Sequence, residues 1–144
     1  MKYLLDTDHF SFLQRRAGSE YRAIMARVAR APASEVAVSV VGFHEQFIGV
    51  HAQINRAKGD SQLVRGYEML EQILTGFSAL PVLPFDSAAA TVAEQLRRSH
   101  GRIAAMDRRI AAIALANGLA VVTRNFRDFR GVPGLLLEDW TVTS

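Results

Sequence analysis

Lys2-Tyr3-Leu4-Leu5-Asp6-Thr7-Asp8 is the stretch whose reading decides the fold. Three consecutive apolar residues, Tyr3 to Leu5, bounded by polar ones, fit an interior strand of a parallel sheet. Asp6 then falls at the carboxyl end of that strand, the edge along which open α/β sheets bind ligands. A strand that stops on a carboxylate predicts an acidic site completed by later segments.

Outward from this strand, helical and extended patterns alternate. Residues 9–16 read as a short helix with Phe10 and Leu13 on one face. Gly18 breaks it, and Ser19 is placed to cap a second helix through Tyr21, Ile24, Met25 and Val28 to Ala31, where Pro32 ends it. Val36 to Val40 is a small, β-branched strand, followed by a helix from Gly42 to Arg56 that carries Glu45. After a turn at Lys58-Gly59-Asp60-Ser61, Leu63, Tyr67, Leu70, Ile73, Leu74 and Phe77 mark a long helix. Leu80 to Leu83 is a short strand, and Asp86 or Ser87 can cap a helix from Ala88 to about Ser99. Residues 100–106 connect to a helix from Asp107 to Ala116, stopped by Asn117-Gly118. Leu119 to Thr123 is a strand, Asn125 to Val132 a loop, and Leu135 to Glu138 a last short strand at an edge. Such alternation implies an α/β layered fold with a mostly parallel sheet. No repeat, low-complexity tract or linker interrupts it, so residues 1–144 read as one domain.

Composition narrows the function. The content of 49% hydrophobic and 22% charged residues is ordinary for a soluble globular chain. No apolar run is long enough to span a membrane, and an acid follows the first five residues too soon for a signal peptide. With no cysteine there is neither a disulfide framework nor a thiolate metal site. A cytoplasmic protein is expected. The formal charge is +3 and the pI about 9.8. Lys2 and Lys58 are the only lysines, so fifteen of the seventeen basic residues are arginine. Arginine forks onto phosphates and stacks on bases, which suits an anionic polymer; a GC-rich genome would produce the same bias. Position favours the polymer. Arg97, Arg98, Arg102, Arg108, Arg109, Arg124, Arg127 and Arg130 all fall in the last third, around two acids.

Four acids form the candidate site. Asp6 closes the first strand, Glu45 sits in the helix after the second, Asp107 opens a helix, and Asp128 follows the strand that ends at Thr123. In a parallel sheet these junctions share one edge. Carboxylates crowded there repel one another, and a hard divalent cation such as Mg²⁺ or Mn²⁺ removes the conflict. Such a cation activates water and steadies a phosphoryl transition state, the chemistry of phosphodiester hydrolysis. Each acid also has an ordinary reading, as a turn residue, a solvated face, a helix-terminal acid or a surface pair. His44 and His51 are read as packing or surface residues, and His9 as a neighbour of Asp6. No H-E-x-x-H, P-loop, G-x-G-x-x-G or G-x-S-x-G motif occurs.

Taken together, these segments resemble the PIN-domain proteins, in particular the VapC toxins of type II toxin–antitoxin pairs. The resemblance rests on Tyr3-Leu4-Leu5-Asp6-Thr7, on Val38 to Glu45 with Gly49, and on Met106-Asp107-Arg108-Arg109-Ile110-Ala111-Ala112. It extends through Leu83 to Asp86, Val121 to Phe129, Val132 to Leu135 and Glu138-Asp139-Trp140. It implies a three-layer α/β/α domain with a central, mostly parallel sheet of four to five short strands. It implies an Mg²⁺- or Mn²⁺-dependent endoribonuclease, usually a homodimer, inhibited by a cognate antitoxin. Asp6 and Asp107 would be the main metal ligands, Glu45 would complete the cluster, and Thr123 would orient the first acid. Arg108, Arg109 and Arg124 are candidates for RNA phosphate contact from charge and position alone. Two departures stand out. Many members have Asn at the position of Asp8, and many have an acid where this chain has Asn125; Asp128 is the nearest substitute.

Two rival readings fit the same residues. Asp6-Thr7-Asp8 also resembles the D-x-D start of haloacid-dehalogenase-type phosphatases, where the first Asp is a nucleophile and the second a general acid. That family needs a later lysine and a paired-acid motif absent here. Alternatively, a PIN fold with a compromised fourth acid would be a catalytically weak module that binds RNA or a protein.

Overall fold

The apolar segments become five short strands. The computed structural model describes residues 1–142, less the side chain of Ala33. The strands are β1 (Tyr3–Leu5), β2 (Val36–Ser39), β3 (Val82–Leu83), β4 (Ala120–Val122) and β5 (Leu137–Glu138). Helices α1 (Thr7–Arg15) and α2 (Ser19–Val28) join β1 to β2, and α3 (Val40–Arg56) and α4 (Asp60–Ser78) join β2 to β3. Helices α5 (Ser87–Ser99) and α6 (Ala105–Asn117) lead to β4, and a single turn of helix, α7 (Phe126–Phe129), precedes β5. The order across the sheet is β3-β2-β1-β4-β5, and every pairing is parallel.

Alternation along the strands divides the core in two, because successive side chains point to opposite faces. Leu4, Ala37 and Val121 stand in register on one face and pack with Ala89, Leu96, Ile110 and Ile113 of α5 and α6. Leu5, Val38 and Val122 serve the other face with Phe10, Ile24, Val50, Ile73 and Phe77 of α1 to α4. Strands that are apolar at every position need cover on both sides, and this yields the three-layer α/β/α arrangement. Packing between helices is close where glycine permits it: a Cβ on Gly76 would lie 2.7 Å from Cζ of Phe10.

Boundaries differ from the sequence reading where local bonds compete. Val40 is helical rather than extended, because Ser39 Oγ accepts the Gly42 N–H at 2.9 Å and starts α3 early. Ser19 does not cap α2; Gly18, at φ 102°, takes that position without a side-chain bond. The same helix stops at Val28, and the chain continues to Ala31 in tighter turns, with Arg30 N–H donating to Arg27 and Ala31 N–H to Val28. The expected loop after Thr123 contains α7, anchored by the fully buried Phe129. As expected, β5 is an edge strand.

The topology positions the site. The chain leaves β1 toward β2 on one side and later returns to place β4 on the other. At such a switch point the connections diverge and open a crevice beyond the strand ends. Asp6 follows β1 into that crevice, and Thr123 follows β4.

Candidate active site

Asp6 is 7% exposed and Thr123 fully buried, so the polar groups here must find partners in each other. Thr123 Oγ1 donates to Asp6 Oδ2 at 2.9 Å and accepts the Asn125 N–H at 2.9 Å. Thr7 Oγ1 lies 3.2 Å from Asp6 Oδ1 and 3.4 Å from Glu45 Oε1, so one hydroxyl proton is shared between two carboxylates. Glu45 reaches this point from α3 and Asp107 from the first turn of α6. Asp128, on α7, accepts the side-chain amide of Asn125 at 2.6 Å.

The acids act on one another. Burial, then the charge of Asp8, raises the Asp6 carboxyl above its ordinary range against the hydrogen bonds of Thr7 and Thr123. Burial, then the charges of Asp6 and Asp107, pushes Glu45 up to about 7. Burial, then Asp6 and Asp128, pushes Asp107 up to about 6. The repulsion links Asp6, Glu45 and Asp107 into one electrostatic unit whose protons are held more tightly than those of free carboxylates, and Asp128 adds its charge beside Asp107. Among the described residues, no three acidic, histidine or cysteine side chains are gathered tightly enough to chelate an ion as they stand. The donor set is nevertheless all oxygen and short of positive charge. It suits a hard cation that binds few carboxylates directly and keeps its waters.

Asp8 is different. Its Oδ1 accepts the His9 N–H at 2.5 Å and the His9 ring Nδ1–H at 2.8 Å. Its Oδ2 accepts the Arg124 N–H at 2.8 Å, with Thr123 Oγ1 at 3.3 Å. Burial alone would raise this carboxyl, but the bonds from His9 and Arg124 outweigh it and hold Asp8 below the ordinary value. His9 is fully buried and its Nε2 accepts the Trp140 N–H at 3.0 Å. That bond requires the tautomer with the proton on Nδ1. His9 therefore supports Asp8, rather than Asp6 as the sequence suggested.

The remaining candidates fall away from the acids or beside them. Arg108 donates from Nη1 to the Ile103 carbonyl at 3.2 Å, and Arg109 is half-buried on the same helix. Arg124 is exposed, with its guanidinium 5.5 Å from the Phe12 ring centroid. His44 is exposed, and His51 stacks on Phe47 and meets Asn55, so neither serves the cluster. Two contributors were not singled out from sequence: Thr7, whose only signal is a hydroxyl beside a strand-ending acid, and Ser39, which starts the helix bearing Glu45.

Comparison with known proteins now decides the family. The family model for the PIN domain matches residues 3–135. The chain belongs to the PIN-domain family. Within it, the chain is similar to VapC-type toxins. It is 40% identical over 74 residues to a tRNA(fMet)-specific endonuclease VapC of Shigella flexneri, covering 48% of this chain and 56% of that protein. The matched part thus spans little more than half of that relative. Toxin FitB of Neisseria gonorrhoeae is 32% identical over 110 residues, covering 74% of this chain and 76% of the relative. Among solved structures, DNA-bound VapBC from Salmonella typhimurium aligns with a TM-score of 0.72 and 26% identity, over 97% of this chain and 98% of that one. PIN membership sets the phosphatase reading aside, and the geometry agrees: a general acid at Asp8 would have to be free, whereas its oxygens are occupied. No helix among the described residues is long and apolar enough to cross a membrane.

Proposed function

We propose that this PIN-domain protein is a metal-dependent endoribonuclease, the toxin of a toxin–antitoxin pair. The observation that carries the reading is the convergence of Asp6, Glu45 and Asp107, coupled by charge, at the switch-point crevice. The endonuclease and toxin names of the relatives support it. Asp6 and Asp107 would hold Mg²⁺ or Mn²⁺, with Glu45 completing the cluster and Asp128 assisting. Such an ion, when bound, lowers the pKa of a water and offsets charge on a phosphate.

The chain's own residues do the rest. Thr123 directs its proton at Asp6 Oδ2 and so fixes the carboxylate's rotation. Thr7 ties Asp6 to Glu45. Glu45, titrating near neutrality in the ion-free protein, is suited to accept a proton from an attacking water. Asn125 holds Asp128 near Asp107, and Arg124, with Arg108 and Arg109, supplies positive charge for RNA phosphates. An antitoxin would silence the enzyme by binding it, and a homodimer is the expected free form. Residues 1–144 act as one domain in this reading.

The test is incubation of antitoxin-free protein with total RNA in Mg²⁺, Mn²⁺ or EDTA, beside Asp6→Asn. Discrete products that need the cation and Asp6 are expected. RNA binding without cleavage in either cation would move the protein to the RNA-binding class.

A further inference from the structure

A second concave feature lies on the same edge of the sheet, on the side of β4 and β5. A cleft of about 730 Å³ opens between α2 and the segments that follow these strands, with Arg27, Arg30, Arg124, Phe126, Glu138 and Trp140 in its walls. Its acids are already paired. Glu138 Oε1 accepts from Arg27 Nη2 at 3.2 Å and from Trp140 Nε1 at 3.1 Å. Asp139, also in the wall, accepts from Thr141 N and Oγ1 at 2.8 and 2.6 Å. Arg27 is fixed as well: its guanidinium lies 5.0 Å from the Trp140 ring centroid and 5.6 Å from that of Tyr3.

Once these pairs are removed, two cations and one ring remain. Arg30 is exposed and makes no ion pair or side-chain hydrogen bond among the described residues. Arg124 meets Glu20 at 4.0 Å across an exposed surface, where such a pair contributes little, and its guanidinium lies 5.5 Å from the Phe12 ring centroid, so its charge stays uncancelled. Phe126 is 41% exposed, an apolar residue left in water. Guanidiniums flanking an exposed aromatic ring are the elements of a single-stranded nucleic-acid site: the ring stacks a base and the cations take the phosphates. A base paired in a duplex has no free face to offer, so the chemistry selects an unpaired nucleotide. Arg124 and Phe126 are the first and third residues after Thr123, whose hydroxyl holds Asp6.

We infer that this cleft is an RNA subsite that binds an unpaired nucleotide flanking the bond to be cut, with the base on Phe126 and phosphates on Arg30 and Arg124. Its position beside the scissile bond rests on the nuclease reading; binding itself does not. The cleft therefore helps choose where RNA is cut, by demanding a flexible, single-stranded neighbour.

Trp140 is the only tryptophan and lines the cleft, so its emission reports occupancy. The protein is titrated in EDTA with single-stranded oligoribonucleotides of about six nucleotides, within the usual site size, and with the corresponding duplex. Wild type is compared with Phe126→Ala and Arg30→Ala, exposed positions on separate elements, and cleavage of total RNA in Mg²⁺ is measured in parallel. The single strand should shift Trp140 emission and the duplex should not. Phe126→Ala should weaken binding roughly ten- to a hundred-fold, the loss of one base stack. Arg30→Ala should lower the salt slope by about one phosphate contact. Wild-type affinity in both variants overturns the subsite, as does emission that responds to no oligoribonucleotide or only to an acidic peptide. If wild type still cleaves RNA in those cases, the nuclease reading survives alone. Phe126-dependent binding without any cleavage would do the reverse.

Discussion

Asp6 and Asp8 stand two residues apart at the mouth of one crevice, and their surroundings move them in opposite directions. Burial penalises both charges. Asp6 meets two hydroxyls and a group of other acids, and its carboxyl is raised. Asp8 meets two backbone N–H groups, the His9 ring and, more distantly, Thr123, and its carboxyl is lowered. A carboxylate offers about four lone-pair sites, and at Asp8 three N–H donors occupy both oxygens. Asp8 is complete without anything from outside; Asp6, Glu45 and Asp107 are not. Proximity to the crevice therefore does not by itself make an acid a candidate ligand. What separates the two regions is whether the fold has already neutralised the charge. Asp8 ties the start of α1 to the segment after β4, and His9 extends the tie to Trp140, so this region holds in place the walls between which the other acids face one another.

The sharpest way to break this contrast is to neutralise each acid in turn. Asp6→Asn should reduce RNA cleavage to background while leaving thermal stability equal or higher, because it removes a buried charge among like charges. A variant that still cuts would show that the acidic cluster is not the active centre. Asp8→Asn should do nearly the opposite. The amide nitrogen must face either the His9 donors or the Arg124 N–H, and His9 cannot change tautomer without losing Trp140. The expected cost is about 1–3 kcal/mol in urea unfolding, that of an unsatisfied buried donor. Cleavage should fall roughly ten- to a hundred-fold, as for other groups that support a ligand indirectly, with the same cation requirement. Should Asp8→Asn lose its cation response at unchanged stability, Asp8 is a ligand and the distinction between the regions fails.

How much of this was legible beforehand depends on whether a residue's role is local. Tyr3 to Leu5 and Val36 to Ser39 announce themselves because strands buried on both faces must be apolar throughout, and the order of elements then places Asp6 and Thr123 at strand ends. Glu45 and Asp107 were identifiable as acids at strand–helix junctions. Direction was not. His9 lies three residues from Asp6 in the chain, but its ring is oriented by a backbone N–H 131 positions away, and no local pattern encodes that. The short helix α7 was missed for a similar reason: four residues have too few turns to show a period, and Phe129 anchors them through burial. The separation of Asp8 from the other acids rests on its donors, two of which, the His9 ring N–H and the Arg124 N–H, are oriented only by the fold.

The smallest effect, and the one that reads both regions at once, is the dependence of stability on pH. Unfolded, Glu45 and Asp107 would titrate at about 4.5 and 3.8; folded, they titrate near 7 and near 6. Between those values the folded chain holds protons that the unfolded chain has released, so the ion-free fold loses stability as pH rises from about 4 to about 7. Asp8 has the opposite sign: its lowered carboxyl stabilises the fold above about 3.8, and that stability is lost as pH falls further. Because Glu45 and Asp107 are only half-buried, solvent screening reduces their combined effect to about 1 kcal/mol, or several degrees in melting temperature for a domain of this size. In EDTA, melting should therefore be several degrees lower at pH 7.5 than at pH 5, and Glu45→Gln should flatten that slope. Mn²⁺ should restore the loss at pH 7.5 and do little at pH 5, where protons already relieve the repulsion. A melting temperature that rises across this interval in EDTA would mean that the acids are not in conflict, and would remove the physical reason for a cation between them.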